Sequence, residues 1–280
     1  MTRALDSTLI HPTAVIHPGA EIGAGSEIGP FCVVEPGVEI GRGCRLQAHV
    51  HLLGRTILGE ECAVGSGTVL GGEPQDTAYA GEPTVVRIGA RCRFHEHVTV
   101  HRATGEGNET VLGDRVLMMA GSHAGHNVVV GNDTVLVNHC ILAGHVRVED
   151  HAYLSGHSGV HQFSRIGRLS LTAGGAIVTR DVPPFAIVTG SYPLRFRAPN
   201  TIGMRRAGFS SEERSAVRRA FARIFAPGES LATAAQALVR DPVPPVAELG
   251  RFILESKRGI CARPLRPASL DRSPSDEPPS

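Results

Sequence analysis

The sequence predicts an all-β parallel β-helix of hexapeptide repeats, followed by a small α-helical C-terminal domain. Three observations carry this. Every sixth residue from Ile10 to Leu70 is a branched aliphatic, running Ile10, Ile16, Ile22, Ile28, Val34, Ile40, Leu46, Leu52, Leu58, Val64, Leu70. Two residues before each stands a small or β-branched residue (Thr8, Ala14, Ala20, Ser26, Cys32 and onward to Thr68). After Val182-Pro183-Pro184 the period of six gives way to helical spacing. An α-helix repeats near 3.6 and a strand at 2, so a fixed period of six belongs to neither and marks a repeat fold.

Beyond Leu70 the ladder resumes at Ile88, Phe94 and Val100, and again from Leu112 to Val178. Three hexapeptides make one triangular coil, rising by one inter-strand spacing of roughly 4.8 Å. Ile-Gly and Val-Gly pairs recur (Ile22-Gly23, Ile40-Gly41, Val130-Gly131), and the glycine is expected where the backbone turns with positive φ. Residues 1–190 are assigned to the β-helix, with excursions at 71–87 and 103–110. Excursions from a repeat gather on one face and often bind something.

Residues 191–200 read as a loop, and 191–261 as the helical domain. Ser210 and Glu213 form a capping box ahead of Val217, Ala220, Phe221 and Ile224 at helical spacing. Ser230 opens a second helix, and a third covers about 245–257. The Pro- and Ser-rich tail, 262–280, is expected to be disordered.

The net charge of +1 gives no bulk attraction to nucleic acid or to an anionic membrane. The N-terminal stretch has no apolar signal region and no segment is long enough to insert in a membrane, so a cytoplasmic location is expected. Cys32, Cys44, Cys62, Cys92 and Cys140 fall in the small column and read as buried apolar residues.

Positions one coil apart stack, so the repeat turns scattered histidines into an edge. His126, Gly144 and Gln162 follow one another at that spacing, with His145 and His161 as their neighbours, and His123 and His101 sit at nearby levels. His139 and His157 are also one coil apart. The residues alone leave three readings open: solvated stacking, a metal site shared between subunits, or acid–base chemistry by a histidine near its natural pKa.

Several segments narrow this. VHQF (160–163), LAGHV (142–146), DVPPF (181–185), PQD…YAGEPT (74–84), VTVHRAT (98–104) and RRAGFS (205–210) resemble the acyl-ACP–UDP-N-acetylglucosamine O-acyltransferases of lipid A biosynthesis. The resemblance covers about residues 8–260. It implies a left-handed helix, a homotrimer with sites between subunits, and transfer of an (R)-3-hydroxyacyl chain from acyl-carrier protein to the 3-hydroxyl of UDP-N-acetylglucosamine. The donor is carried on phosphopantetheine, and no further cofactor or metal is implied. His126 matches the family's general base, and the Gly144 N–H its oxyanion donor. Gln75, Asp76, His101, His123, His145, His161 and Gln162 match positions contacting the sugar nucleotide, acyl chain or pantetheine. Asn200 and Arg206 match positions near the uridine and phosphates. Gly174 matches the position that sets chain length, where Gly implies a long chain; Tyr192 stands where a His often closes the far end.

The chain departs from the pattern at Ala78 (usually Lys), Ile202 (Glu), Ala207 (the second Arg of a pair, here shifted to Arg205-Arg206) and Asn127 (commonly Asp). These departures keep alternatives in view: a related acyltransferase with another nucleotide-sugar or amine acceptor, or a zinc-dependent lyase of the β-helical carbonic anhydrase kind.

Overall fold

The computed structural model describes residues 7–263, so the expected disorder of the tail falls outside the described residues from 264 onward. The described residues wind into three sheets of 11, 9 and 8 strands, taken in turn by successive hexapeptides and parallel but for the last strand of the first. Ile10 pairs with Ile28, Ile16 with Val34 and Ile22 with Ile40, a register of three hexapeptides. Most strands are very short: the ladder residue points inward and its predecessor outward. From Ile28 upward the ladder is buried, while Ile10, in the uncovered first coil, is 47% exposed.

The small column does more than leave room. In the lower coils several of its side chains donate across to carbonyls of the next coil: Ser26 to Gly41 (3.0 Å), Cys32 to Gln47 (2.8 Å), Cys44 to Gly59 (3.1 Å) and Thr68 to His95 (2.7 Å). Small residues with a hydroxyl or thiol therefore satisfy turn carbonyls that the narrow core would otherwise leave unpaired. Cys32, Cys44, Cys62, Cys92, Cys140 and Cys261 are all buried free thiols.

The expectation of positive φ after the ladder is corrected. Gly23, Gly41, Gly131 and Gly167 are not among the left-handed residues; those stand three places after the ladder instead, as at Gly25, Gly43, Asn127, His139, His145 and Phe163. The ladder-following glycines answer a different constraint. A methyl on Gly41 would lie 2.7 Å from Glu60 N in the next coil, so the coils approach too closely there for a side chain. At the left-handed turns a non-Gly residue costs about 1–2 kcal/mol. Above the first coil such turns are pinned to the coil below, as His145 N–H is to the His126 carbonyl (2.9 Å) and His157 N–H to the Asn138 carbonyl (3.0 Å). Side chains stacked on successive coils add contact: Phe31 on His49, His139 on His157 and His145 on Phe163, with ring centroids 5.0, 5.1 and 4.7 Å apart.

The excursions are shorter than expected, because their ends are strand. Val69–Gly72 and Val85–Ile88 flank the first, leaving 73–84; Thr99–His101 and Glu109–Leu112 flank the second, leaving 102–108. Val64 pairs with Phe94, two hexapeptides beyond a plain coil, and Phe94 with Met118, one hexapeptide beyond. Both excursions therefore amount to whole repeats, and the ladder stays in phase.

The loop expected at 191–200 contains a strand. Arg195–Pro199 runs antiparallel beside Ala186–Thr189 and covers the end of the first sheet. Its inward residue, Phe196, stacks on Phe221 (4.6 Å) and packs at a tilt against Phe225 (4.7 Å). Among the described residues four helices follow: α1 (Thr201–Arg206), α2 (Ser211–Ile224), α3 (Leu231–Val239) and α4 (Pro244–Glu255). The Ser210–Glu213 capping box opens α2. Arg168 joins α4 to the β-helix through two bonds to Glu248 (3.0 and 2.6 Å). Asp181, buried at the same junction, accepts from Arg165 N–H (2.9 Å) and the Ser256 hydroxyl (2.6 Å).

Candidate active site

Both excursions leave the β-helix at the turn from the second sheet to the third, and the next turns up that edge carry His126, Gly144 and Gln162. Site and excursions thus share one corner. The excursions also hold each other. Glu82 in the first accepts from Gly105 N–H in the second (2.7 Å) and from Ala80 N–H (2.8 Å), and these bonds hold its carboxyl below the usual range. Arg102 donates to the Gly71 carbonyl (2.7 Å) and the Tyr79 hydroxyl (3.1 Å).

At the centre, the His126 side chain is 13% exposed. Its Nδ1 lies 2.9 Å from Asn127 Oδ1 and 3.9 Å from Asp76 Oδ2. The Ala78 N–H bonded to Asp76 (3.0 Å), with the nearby Thr104, His126 and His145, lowers the Asp76 pKa. The His145 ring meets His126 edge-on at 5.1 Å and stacks on Phe163 at 4.7 Å. Burial, and then the neighbouring His126, push the His145 pKa down.

His101, on the coil before, and His123, on the strand leading into the His126 turn, pack edge to face at 5.2 Å. His101 Nδ1 meets the Glu73 carbonyl (2.5 Å), and His123 Nδ1 meets Thr99 Oγ1 (2.8 Å). Burial lowers both, His123 to about 4. These two are neutral at physiological pH and suit hydrogen bonding more than charge.

Gly144 is buried beside His126, and a methyl added there would overlap His126 Nε2. Among the described residues its N–H has no bonding partner. The imidazole edge thus lies directly against Gly144. His161 and Gln162 are exposed one coil further on, with His161 Nδ1 3.1 Å from the Gln162 carbonyl. Gln75 is exposed on the first excursion. Gly174 is exposed with open space beside it: the nearest atom to an added methyl would be Gly156 O, 3.7 Å away. Tyr192 is 78% exposed.

The structure does not bring Asn200 and Arg206 to this cluster within one chain. Asn200 is the N-cap of α1, accepting from Gly203 N–H (2.9 Å) and donating to the Leu169 carbonyl (2.8 Å). Arg206 is exposed at the end of the same helix. Among the described residues, no three His, Cys, Asp or Glu side chains are grouped so as to hold a metal ion. No helix there is long and apolar enough to cross a membrane.

Sequence reasoning passed over Glu82 and Arg102, which lock the excursions together. Charged residues standing inside Gly- and Pro-rich segments were the available signal.

Known proteins share this fold. Residues 181–261 match the family model described as UDP N-acetylglucosamine O-acyltransferase, domain 2, and residues 6–36 the bacterial transferase hexapeptide model (six repeats). An acyl-[acyl-carrier-protein]–UDP-N-acetylglucosamine O-acyltransferase of Synechocystis sp. is 42% identical over 172 residues, 61% of this chain and 62% of that one. Its counterpart in Thermodesulfovibrio yellowstonii is 40% identical over 255 residues, 90% of this chain and 98% of that one. The crystal structure of the Francisella novicida UDP-N-acetylglucosamine acyltransferase superposes with a TM-score of 0.88 at 32% identity, covering 92% of this chain and 95% of that one. The fold is therefore the left-handed parallel β-helix of these enzymes, and the chain belongs to the acyl-[acyl-carrier-protein]–UDP-N-acetylglucosamine O-acyltransferase family.

Proposed function

We propose that this chain moves an (R)-3-hydroxyacyl group from acyl-carrier protein to the 3-hydroxyl of UDP-N-acetylglucosamine, the first step of lipid A biosynthesis. The observation that carries this reading is the close approach of His126 Nε2 to Gly144, whose N–H has no bonding partner among the described residues. His126 takes the proton of the sugar hydroxyl as that oxygen attacks the thioester carbon. The Gly144 N–H donates to the thioester oxygen as negative charge develops there. Collapse of the intermediate breaks the C–S bond, and the departing pantetheine sulfur takes the proton back from the imidazolium. No redox step or cofactor enters this sequence. Asp76, Gln75, His101, His123, His145, His161 and Gln162 line the approach, and holding the two substrates together supplies much of the rate.

Asn200, Arg206 and Gly174 lie apart from His126 within one chain, which supports a homotrimer in which neighbouring subunits complete each site. The open space beside Gly174 supports a long acyl chain. A cytoplasmic location fits a donor carried on acyl-carrier protein. A second reading, the same chemistry on a different nucleotide sugar, is favoured by Ala78 and Ile202, which present no charge where the family usually has one.

A transfer assay with purified 3-hydroxyacyl-ACPs against a panel of UDP-sugars tests both. Preference for UDP-N-acetylglucosamine supports the first reading, preference for another sugar the second, and transfer to none overturns both. Preference for short acyl chains would remove the role given to Gly174.

A further inference from the structure

We propose that Asn127 is the residue that sets which nitrogen of His126 carries the proton, and that it does so by being gripped by the second excursion. This rests on the acyl-transfer reading and names a part of its machinery.

Three bonds fix the Asn127 amide. Its Oδ1 accepts from Thr104 N–H (2.9 Å), and its Nδ2 donates to the Thr104 carbonyl (3.0 Å). A backbone N–H only donates and a carbonyl only accepts, so these two contacts decide which end of the amide is oxygen. That same oxygen lies 2.9 Å from His126 Nδ1. An amide oxygen offers no proton, so the bond forms only when Nδ1 carries it. Nε2 is then left with the lone pair, on the side of Gly144.

The backbone of Asn127 is held by the same excursion. Its φ is 58°, and its N–H donates to Thr110 Oγ1 (2.9 Å). Thr104 near the start of the excursion and Thr110 just past its end therefore both grip one residue. The tautomer of His126 depends on the excursion being seated. Three titratable groups face His126: Asp76 from the first excursion (3.9 Å), His145 from the next coil (5.1 Å between rings) and His101 from the coil before. None of these three makes a hydrogen bond to His126; a neutral amide does.

Two variants and one spectrum test this. Asn127→Ala removes all three side-chain bonds. It should lower kcat by about ten- to hundredfold, within the range of acid–base effects, with KM for the UDP-sugar changed by less than about threefold. Asn127→Asp keeps the acceptor, loses the donor to Thr104 and adds a charge against the imidazole. It should move the acid limb of the kcat/KM–pH profile up by about one unit. In the full-length, ¹⁵N-histidine-labelled protein, the His126 resonances should report a single Nδ1–H tautomer, and a mixture in Asn127→Ala. An unchanged kcat in Asn127→Ala, an unmoved acid limb in Asn127→Asp, or an Nε2–H tautomer in the unaltered protein would each overturn the proposal. If the unaltered protein transfers acyl groups to no UDP-sugar, the acyl-transfer reading fails, and the tautomer spectrum still decides the role of Asn127.

Discussion

Gly144 and His126 stand on adjacent coils at the same corner, so close that a methyl on Gly144 would occupy the place of His126 Nε2. Gly144→Ala is therefore expected to turn the imidazole away from the open N–H. Loss of an aligned oxyanion donor costs about 10²–10³ in kcat in known cases. Steady-state kinetics should show that loss with circular dichroism unchanged; kcat within about threefold of the parent would argue against the shared space.

His126→Ala removes the proposed base. Nearly all turnover should go, by about 10³-fold or more, while gel filtration and the thermal unfolding midpoint stay close to those of the parent. Substantial residual transfer would assign the base elsewhere.

His123 couples folding to pH. Burial holds it at about 4 in the folded chain, against roughly 6.5 when unfolded. Between those values the unfolded chain binds a proton that the folded chain does not. Stability is thus complete above about pH 6.5 and falls as pH drops toward 4. Urea unfolding across that range should show a shallower decline for His123→Gln than for the parent.

Gly37 and Gly41 separate the two reasons for glycine. Gly37 has a φ of 77° and open space around it, so Gly37→Ala should cost about 1 kcal/mol, the left-handed penalty alone. Gly41 is not left-handed, but an added methyl would lie 2.7 Å from Glu60 N. Gly41→Ala should cost more, about 2–3 kcal/mol, as overpacking does. Chemical denaturation of the two variants side by side checks the order.

Arg168 fastens the helices to the β-helix. Its two bonds to Glu248 span the junction, and its guanidinium lies over the Phe185 and Phe209 rings at 5.1 and 5.3 Å. Arg168→Ala should lower stability by about 1–3 kcal/mol, with hydrogen exchange rising first in α4. Equal protection of α4 in both proteins would place the main hold elsewhere.

The ladder was legible because each inward residue must be branched and aliphatic, whichever coil it occupies. The corner bearing His126, Gly144 and Gln162 was legible for the same reason, since a spacing of three hexapeptides states adjacency outright. What escaped was of another kind. Arg195–Pro199 pairs with period two at the point where the period of six ends, so neither pattern is long enough to show. The Glu82–Gly105 and Asn127–Thr104 bonds join backbone groups to side chains across loops, and hydrogen bonds of that type leave no periodic trace. The glycine after the ladder was misread because a sequence shows that a side chain is missing, not whether geometry or a neighbouring coil excludes it.

The first excursion adds two hexapeptides and the second adds one, which together make one full coil length. The chain therefore behaves like a message read in frame. Loss of one hexapeptide from the uninterrupted stretch before Leu70 would keep every aliphatic inward, yet rotate each later turn to the next corner relative to the coils below the deletion. Loss of a whole coil there would shorten the prism by one storey and leave its corners in register. Evolution can lengthen or trim such a protein cheaply, but only in whole storeys if its lower coils are to keep facing the corner that carries the candidate site.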